Sequence, residues 1–391
     1  MRPPPAHART GRPPRLDRMH SPATHPSPPR PRVLFVPVSG PHGSGELMRC
    51  LIVARELRRA EPGIDVHFLV SRDGVFRDAV DFPIHDCDDS PTRSTPQVLA
   101  TLRELRPEVV VFDNAGRTEQ LREARRLGAR LVFTSRSPRL RWKAFRVTWL
   151  RLLDEHWIVF PKFVTGGLSM LERLKLRFSP NYAVRHLDTL FTPSLPAQRA
   201  EWLASHGLGE NGYTVFVPGG RGEGHAASVD PTDLFVTAAD AYAHATTHTT
   251  VVLTGRAQPQ RPAGASEHLL LLPRVRPDEV QHLLAGATRV VSNGGTTLIH
   301  SLAHGREIVS VPLADDQARR IRRATRLGVV VPARADAKAI AEAAIALASD
   351  PTRGAAMRRQ IEGLGLVNGV DEAVAALRRL ARADATRQRT S

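Results

Sequence analysis

Val290-Val291-Ser292-Asn293-Gly294-Gly295-Thr296-Thr297, with Val309-Ser310-Val311-Pro312-Leu313-Ala314-Asp315-Asp316-Gln317 a short way downstream, is the stretch that decides the fold. A β-branched run stops at a Ser-Asn-Gly-Gly-Thr-Thr turn, a helix-length segment follows, and a second apolar run ends at Pro312. That is strand, glycine turn, helix and strand. The order predicts an anion site: Gly294 and Gly295 carry no Cβ to hold a ligand off the backbone, and the first N–H groups of the next helix are unpaired donors. The hydroxyls of Thr296 and Thr297 add two more donors.

Outward from that point the logic repeats. Strand-like runs at 213–217, 250–254, 268–271, 289–292, 308–311 and 329–331 alternate with helical patterns at 230–244, 277–285, 296–304 and 316–327. The first run leads into Pro218-Gly219-Gly220-Arg221-Gly222-Glu223-Gly224-His225, which reads either as a flexible turn or as a loop whose amides and Arg221 wrap a diphosphate. Thr254-Gly255-Arg256 and Leu272-Pro273-Arg274-Val275 close the next two runs as ligand edges or ordinary turns.

Upstream, residues 33–38, 66–70, 109–112, 131–134 and 157–160 read as strands, with helical patterns at 97–105 and 119–127. A helix carrying Leu47, Leu51, Ala54 and Leu57 follows the turn Gly43-Ser44-Gly45. Thr192-Pro193-Ser194-Leu195-Pro196 breaks the pattern and separates the halves. The prediction is an α/β chain of two Rossmann-like doubly wound domains facing across a cleft, over 32–195 and 196–385. The last helices, at 337–347, 354–362 and 371–383, close the second domain or return to the first.

Composition narrows the class. The 391 residues suit two or three domains, and 41% hydrophobic content is enough for packed cores. No apolar run approaches the ~18 to 20 residues that cross a bilayer as a helix. Cys50 and Cys87 stand apart without a metal or redox spacing, which fits a cytoplasmic protein. A formal charge of +16 suits phosphorylated substrates, anionic lipid or nucleic acid, and the lack of a nucleic-acid-binding motif leaves no specific nucleic-acid partner. Residues 1–31, rich in Pro and Arg, cannot bury enough surface to order themselves and are expected to be a disordered tail, with a second short tail at 386–391.

At Gly294-Gly295-Thr296-Thr297, Gly305 and 311–317 the chain resembles the donor half of the GT-B glycosyltransferase superfamily, in particular its peptidoglycan N-acetylglucosaminyltransferase and pseudaminic acid pathway UDP-sugar hydrolase types. Gly43-Ser44-Gly45-Glu46-Leu47-Met48-Arg49-Cys50-Leu51 is similar to that hydrolase's first turn and helix. The resemblance implies a nucleotide-diphosphate sugar, UDP-linked in the first instance, as donor substrate, with no cofactor and no metal. It implies diphosphate contacts at Gly219, Gly220, Arg221 and Gly222 and at Asn293, Gly294, Gly295, Thr296 and Thr297. Base contacts would come near Gly255 and Val275, and sugar contacts from Asp315, Asp316 and Gln317. Asp316 also reads as a helix N-cap.

Two departures from the family pattern bear on mechanism. His300 stands where a glutamate accepts hydrogen bonds from the ribose, and imidazole offers one acceptor and one donor instead. Glu46 stands where the family has its histidine base; a glutamate lifted towards neutral pKa by burial can serve, and His42 is the other candidate. Glu46 is equally a first-turn acid favoured by the helix dipole.

The functional expectation is an inverting transferase acting on a hydroxyl acceptor, lipid-linked or a cell-envelope glycan. A nucleotide-sugar hydrolase and a non-catalytic binding protein of the same fold are the alternatives. Residues 139–151 interleave arginines with Trp142, Phe145 and Trp149 at helical spacing, either a core stripe with solvated arginines or a helix lying on the inner face of a membrane.

Overall fold

Apolar runs long enough to be covered on both faces become central strands of parallel sheets, and two such sheets organise the chain. The computed structural model describes residues 30–40, 45–74, 77–219 and 230–387. The first sheet contains β1 (Arg32–Pro37), β2 (Asp65–Ser71), β3 (Ile84–Cys87), β4 (Val109–Asp113), β5 (Arg130–Ser135), β6 (Glu155–Ile158) and β7 (Ala183–His186) in the order β3-β2-β1-β4-β5-β6-β7. The second contains β8 (Thr214–Val217), β9 (Thr250–Leu253), β10 (Leu269–Leu272), β11 (Arg289–Asn293), β12 (Glu307–Val311) and β13 (Val331–Pro332) in the order β10-β9-β8-β11-β12-β13.

Every pairing in both sheets is parallel. In each, the winding reverses beside the first strand, between β1 and β4 and between β8 and β11. Ligands of open α/β sheets bind at the carboxyl ends of such switch points. The two doubly wound halves expected from the sequence are therefore present. The chain from Pro31 onward forms one compact unit, whereas the expected disordered tail lies almost wholly outside the described residues.

Helices cover both faces of each sheet. The helix Gly45–Ala60 buries Leu47, Cys50, Leu51, Ala54 and Leu57 against β1 and β2, each buried leucine contributing roughly 1.5–3 kcal/mol. The same core holds Val370, Ala373, Val374 and Leu377 of the last helix, Val370–Arg387. That helix lies on the first lobe and is pinned there by Arg379 to Glu155 and by Arg378 to Glu61.

Three details differ from the sequence pattern. The edge strands β3 and β7 are legible only in the structure, because Ile84-His85-Asp86-Cys87 and Ala183-Val184-Arg185-His186 are four-residue, half-exposed edges with little apolar content. Residues 139–151 form two short helices, Pro138–Ala144 and Val147–Leu150, rather than one. Phe145 and Trp149 are buried in the core beneath β5, so most of the aromatic stripe is packing and only Trp142 faces solvent. No described helix is long and apolar enough to cross a membrane.

Candidate functional site

The rear switch point is built from backbone. Asn293 ends β11, and its side-chain oxygen accepts the Gly295 N–H at 3.0 Å, which turns the chain sharply into the helix Thr296–Ala303. Gly295 caps that helix without a side-chain hydrogen bond, so the first-turn amides of Thr296 and Thr297 stay available and Thr296 is exposed. Gly219, at φ +77 after β8, lies against this turn: a Cβ there would collide with the Asn293 amide group. The first glycine of the upstream loop and the Asn293-Gly294-Gly295 turn therefore meet, as the anion-site reading requires. Gly220, Arg221, Gly222 and the rest of that loop lie outside the described residues.

Gly294 has a different reason from the one its sequence suggests. A Cβ on it would sit 2.8 Å from Ile321 and 2.9 Å from Gln317, so it is small to admit the helix Asp315–Arg326 and not to admit a ligand. Gln317 is likewise buried and spends its side-chain oxygen on the Leu313 N–H at 3.0 Å. Asp315 and Asp316 are exposed in the first turn of the same helix. The cap position is Ala314, not Asp316.

One turn on, Arg320 donates to the Gly294 carbonyl, pairs with Asp316 at 3.1 Å and lies over the Phe160 ring of the first lobe at 5.0 Å. Gly255, at φ +67 beyond β9, and Val275 beyond β10 lie on the far side of β8 from this centre. With strands ~4.8 Å apart, β10 is roughly 14 Å from β11, the scale of a diphosphate plus its nucleoside. Their two loops meet where the Arg274 N–H donates to the Arg256 carbonyl at 2.9 Å.

The front switch point is built from charged side chains. Arg49 grips Asp113, at the end of β4, through two hydrogen bonds of 2.8 and 2.7 Å, and the Cys50 thiol stands 3.6 Å from the same carboxylate. Asp113 is only 1% exposed. Burial disfavours the Arg49 charge, but Asp113 outweighs it and raises the guanidinium pKa. The Met-Arg-Cys-Leu match is thus a lock between the first helix and β4, compatible with transfer and hydrolysis alike.

Next to the lock, Asn114, held at φ +53, donates to Glu46 at 2.6 Å, and Arg136 reaches the same Glu46 oxygen at 3.0 Å. Burial works against the Glu46 charge, but Arg49, Arg136 and Asn114 together overcome it and leave the carboxyl below the ordinary glutamate range. The expectation of a Glu46 lifted towards neutrality by burial is thereby corrected. His42 lies outside the described residues.

Between the lobes is a cavity of about 190 Å³ lined by Gly45, Met48, Arg49 and Ile52 of the first helix, Val159 and Phe160 after β6, Asp188 to Leu190 after β7, and Thr296, Ile299 and His300 of the rear lobe. Two helix N-termini, at Gly45 and Thr296, therefore open on one space. Charges from the two lobes also meet: burial lowers the Arg320 pKa, Asp316 pulls it back up, and the nearby charge of Arg136 lowers it again. His300 is neutral, its pKa brought down to about 4 by burial. Its Nδ1 contacts the Gln281 side-chain nitrogen at 3.1 Å, its ring lies against Phe191 at 5.0 Å, and its buried Nε2 makes no hydrogen bond. With Gln281 donating to Nδ1, the proton is on Nε2, so His300 offers a donor where a glutamate would offer acceptors.

Asp188, Arg136 and Arg320 were not singled out by sequence. Asp188 follows the unrecognised edge strand β7, is held at φ +40, and has its pKa raised by burial against the weaker pull of the Val367 N–H and Lys162. Arg136 directly follows β5, a ligand-edge position. Arg320 was hidden in an arginine-rich helix.

No family model and no curated protein matches the sequence. Solved structures do match, and they define the class: the chain has the GT-B fold of two-lobed glycosyltransferases. It is similar to the glycotransferase of kitacinnamycin, with TM-score 0.61 and 18% identity over 90% of this chain and 100% of that one. It is also similar to Acinetobacter baumannii MurG, with TM-score 0.58 and 14% identity over 89% and 99%. A third likeness is to LpCGTa in complex with UDP, with TM-score 0.55 and 15% identity over 90% and 99%.

Proposed function

We propose that the protein is an inverting glycosyltransferase that moves a sugar from a nucleotide-diphosphate donor, a UDP-sugar in the first instance, to a hydroxyl of an acceptor held by the front lobe. The observation that carries this reading is the shared cavity: the open N-terminus of the helix Thr296–Ala303 and the front-lobe residues Gly45 and Arg49 line one space, with Arg320 beside the rear turn. The diphosphate rests on the Thr296 and Thr297 amides, Arg320 and Arg136 offset its negative charge, and the nucleoside extends over β9 and β10 towards Gly255 and Val275. These groups supply the stabilisation a departing diphosphate needs without a metal. Asp315 and Asp316 face the sugar.

In the reaction, the acceptor oxygen attacks the anomeric carbon from the front-lobe side and the carbon–oxygen bond to the diphosphate breaks. The diphosphate leaves with the electron pair, and the hydroxyl proton passes to a carboxylate. Asp188 fits that last role better than Glu46, because burial makes Asp188 more basic whereas Arg49 and Arg136 hold Glu46 in its ionised form. Met48, Ile52, Val159 and Leu190 make the acceptor side apolar, which favours a hydroxyl borne on an apolar body, such as a lipid-linked intermediate of the cell envelope. If water takes the acceptor's place, the same residues hydrolyse the donor.

The test is release of nucleoside diphosphate from a panel of nucleotide sugars, with and without hydroxyl acceptors, by the protein and its Asp188→Asn, Glu46→Gln and His42→Ala variants. Acceptor-dependent release that falls about 100-fold in Asp188→Asn, within the usual range for loss of a general base, supports the reading. Acceptor-independent release at the full rate makes the protein a hydrolase, and no release from any donor leaves only the binding-protein alternative.

A further inference from the structure

The helix Met170–Arg177 is amphipathic in the wrong sense for a packed helix. Its polar face points inward: Glu172 binds the Arg141 guanidinium at 3.1 Å, and Lys175 donates to the Phe145 carbonyl at 2.9 Å. Leu176 packs on the core, but the other apolar side chains point outward, with Met170 86%, Leu171 61%, Leu174 53% and Phe178, just past the helix end, 76% exposed. At about 100° per residue these four fall within one arc of roughly 100°, a continuous stripe. Arg173 and Arg177 flank it and are exposed. On the neighbouring helix Pro138–Ala144, Trp142 is 61% exposed with the Arg146 guanidinium 4.6 Å over its ring.

A soluble protein gains nothing from holding four large apolar side chains in water while its polar groups face in, so this surface is built to be covered. Charge indicates by what. Between Arg136 and Pro180 the acids are Asp154, Glu155 and Glu172, and each is tied up internally, by Arg125 and Arg130, by Arg185 and Arg379, and by Arg141. Within this segment the stripe's flanks are therefore basic, with no unpaired carboxylate to answer them. A second copy of the chain would set this positive rim against itself. An acyl-chain interior under anionic headgroups satisfies both features at once.

We infer that the helix Met170–Arg177, with Trp142 beside it, docks the first lobe on an anionic lipid surface. In sequence, Pro138 is two residues beyond Arg136, the partner of Glu46, and Met170 is ten residues beyond the cavity-lining Phe160. The inference concerns binding alone and stands whether or not the cavity transfers sugar.

The experiment is flotation of the full chain with vesicles of phosphatidylcholine alone or mixed with phosphatidylglycerol, alongside the L174E/F178E and R173E/R177E variants. These residues are exposed, so melting temperature should not change. The expected result is flotation with phosphatidylglycerol vesicles, a tenfold or greater loss in each variant, and a blue shift of Trp142 emission. Trp142 is the one exposed tryptophan of the four, Trp149 and Trp157 being buried and Trp202 half-buried, so the shift is lost in Trp142→Phe. Equal flotation of the variants would show that other basic segments carry the binding and would overturn the inference, as would failure of the unaltered chain to float. Normal flotation with no Trp142 shift would remove Trp142 from the docking surface.

Discussion

The two switch points share a topology and differ in chemistry. Between β1 and β4 the front lobe sets two adjacent charged clusters, Arg49 with Asp113 and Glu46 with Asn114 and Arg136. Between β8 and β11 the rear lobe sets Gly219, Asn293, Gly294 and Gly295, and the helix that follows keeps its first amides free. One end of the cleft pairs its charges with one another and, among these groups, leaves only the buried Asn114 side-chain oxygen without a partner, and the other has donors to spare. On the proposed reading a ligand's anion is held where donors are spare, and the charge-paired end shapes the space for the acceptor.

That contrast can be broken at several points, and the largest expected effect is in the front. Asp113→Ala leaves the buried Arg49 charge without a partner and should cost about 3–5 kcal/mol in denaturant unfolding, with much of it recovered in R49M/D113L. Asn293→Ala in the rear removes one neutral hydrogen bond and should cost only about 1 kcal/mol. Equal losses would mean that the two ends are not built differently. Gly294→Ala comes next: its Cβ overlaps Ile321 and Gln317, so stability should fall by about 1–3 kcal/mol with or without nucleotide. Unchanged stability with weaker nucleotide binding would return Gly294 to the ligand.

Arg320→Met should weaken nucleoside diphosphate binding by about tenfold, the ~1.5 kcal/mol of a charged hydrogen bond, and the more exposed Arg136→Met by less. A reversed order would put the anion in the front lobe. The subtlest effect is on pH dependence. If Asp188 takes the proton as proposed, it acts deprotonated, and with its pKa raised above the ordinary 3.8 turnover should climb as pH rises through that raised value. Asp188→Asn should remove this limb, while Glu46→Gln should keep it and change turnover by no more than about threefold, since the proposed mechanism gives the proton to Asp188. Loss of the limb in Glu46→Gln instead would restore Glu46 as the base.

The fold was legible because buried parallel strands are nearly continuous apolar runs: all six rear strands fall within two residues of the runs that predict them. The two strands that escaped, β3 and β7, are short edges where one side faces solvent and the apolar signal is halved. The rear turn was legible for its shape, since the Asn293-Gly294-Gly295 pattern marks both the turn and the open helix. The reason for Gly294 was not, because its neighbours Gln317 and Ile321 come from a later helix. Asp188, Arg136 and Arg320 were hidden for the same cause: their meaning comes from what faces them across the cleft, and no local pattern records it. The sign of the Glu46 shift was missed because Arg49, the largest lowering influence, is one turn along the same helix but was not weighed against burial, and Arg136 and Asn114, which add to it, arrive from the ends of β5 and β4.

The central claim, that the rear lobe holds its ligand by a diphosphate on bare amides, is tested most directly by calorimetric titration of nucleoside diphosphates and their parent nucleosides into the full chain. The account predicts that at least one diphosphate binds and that its nucleoside binds at least about tenfold more weakly, the diphosphate supplying several charge-assisted hydrogen bonds. A nucleoside that binds as tightly as its diphosphate, or no binding by any member of the series, would contradict it.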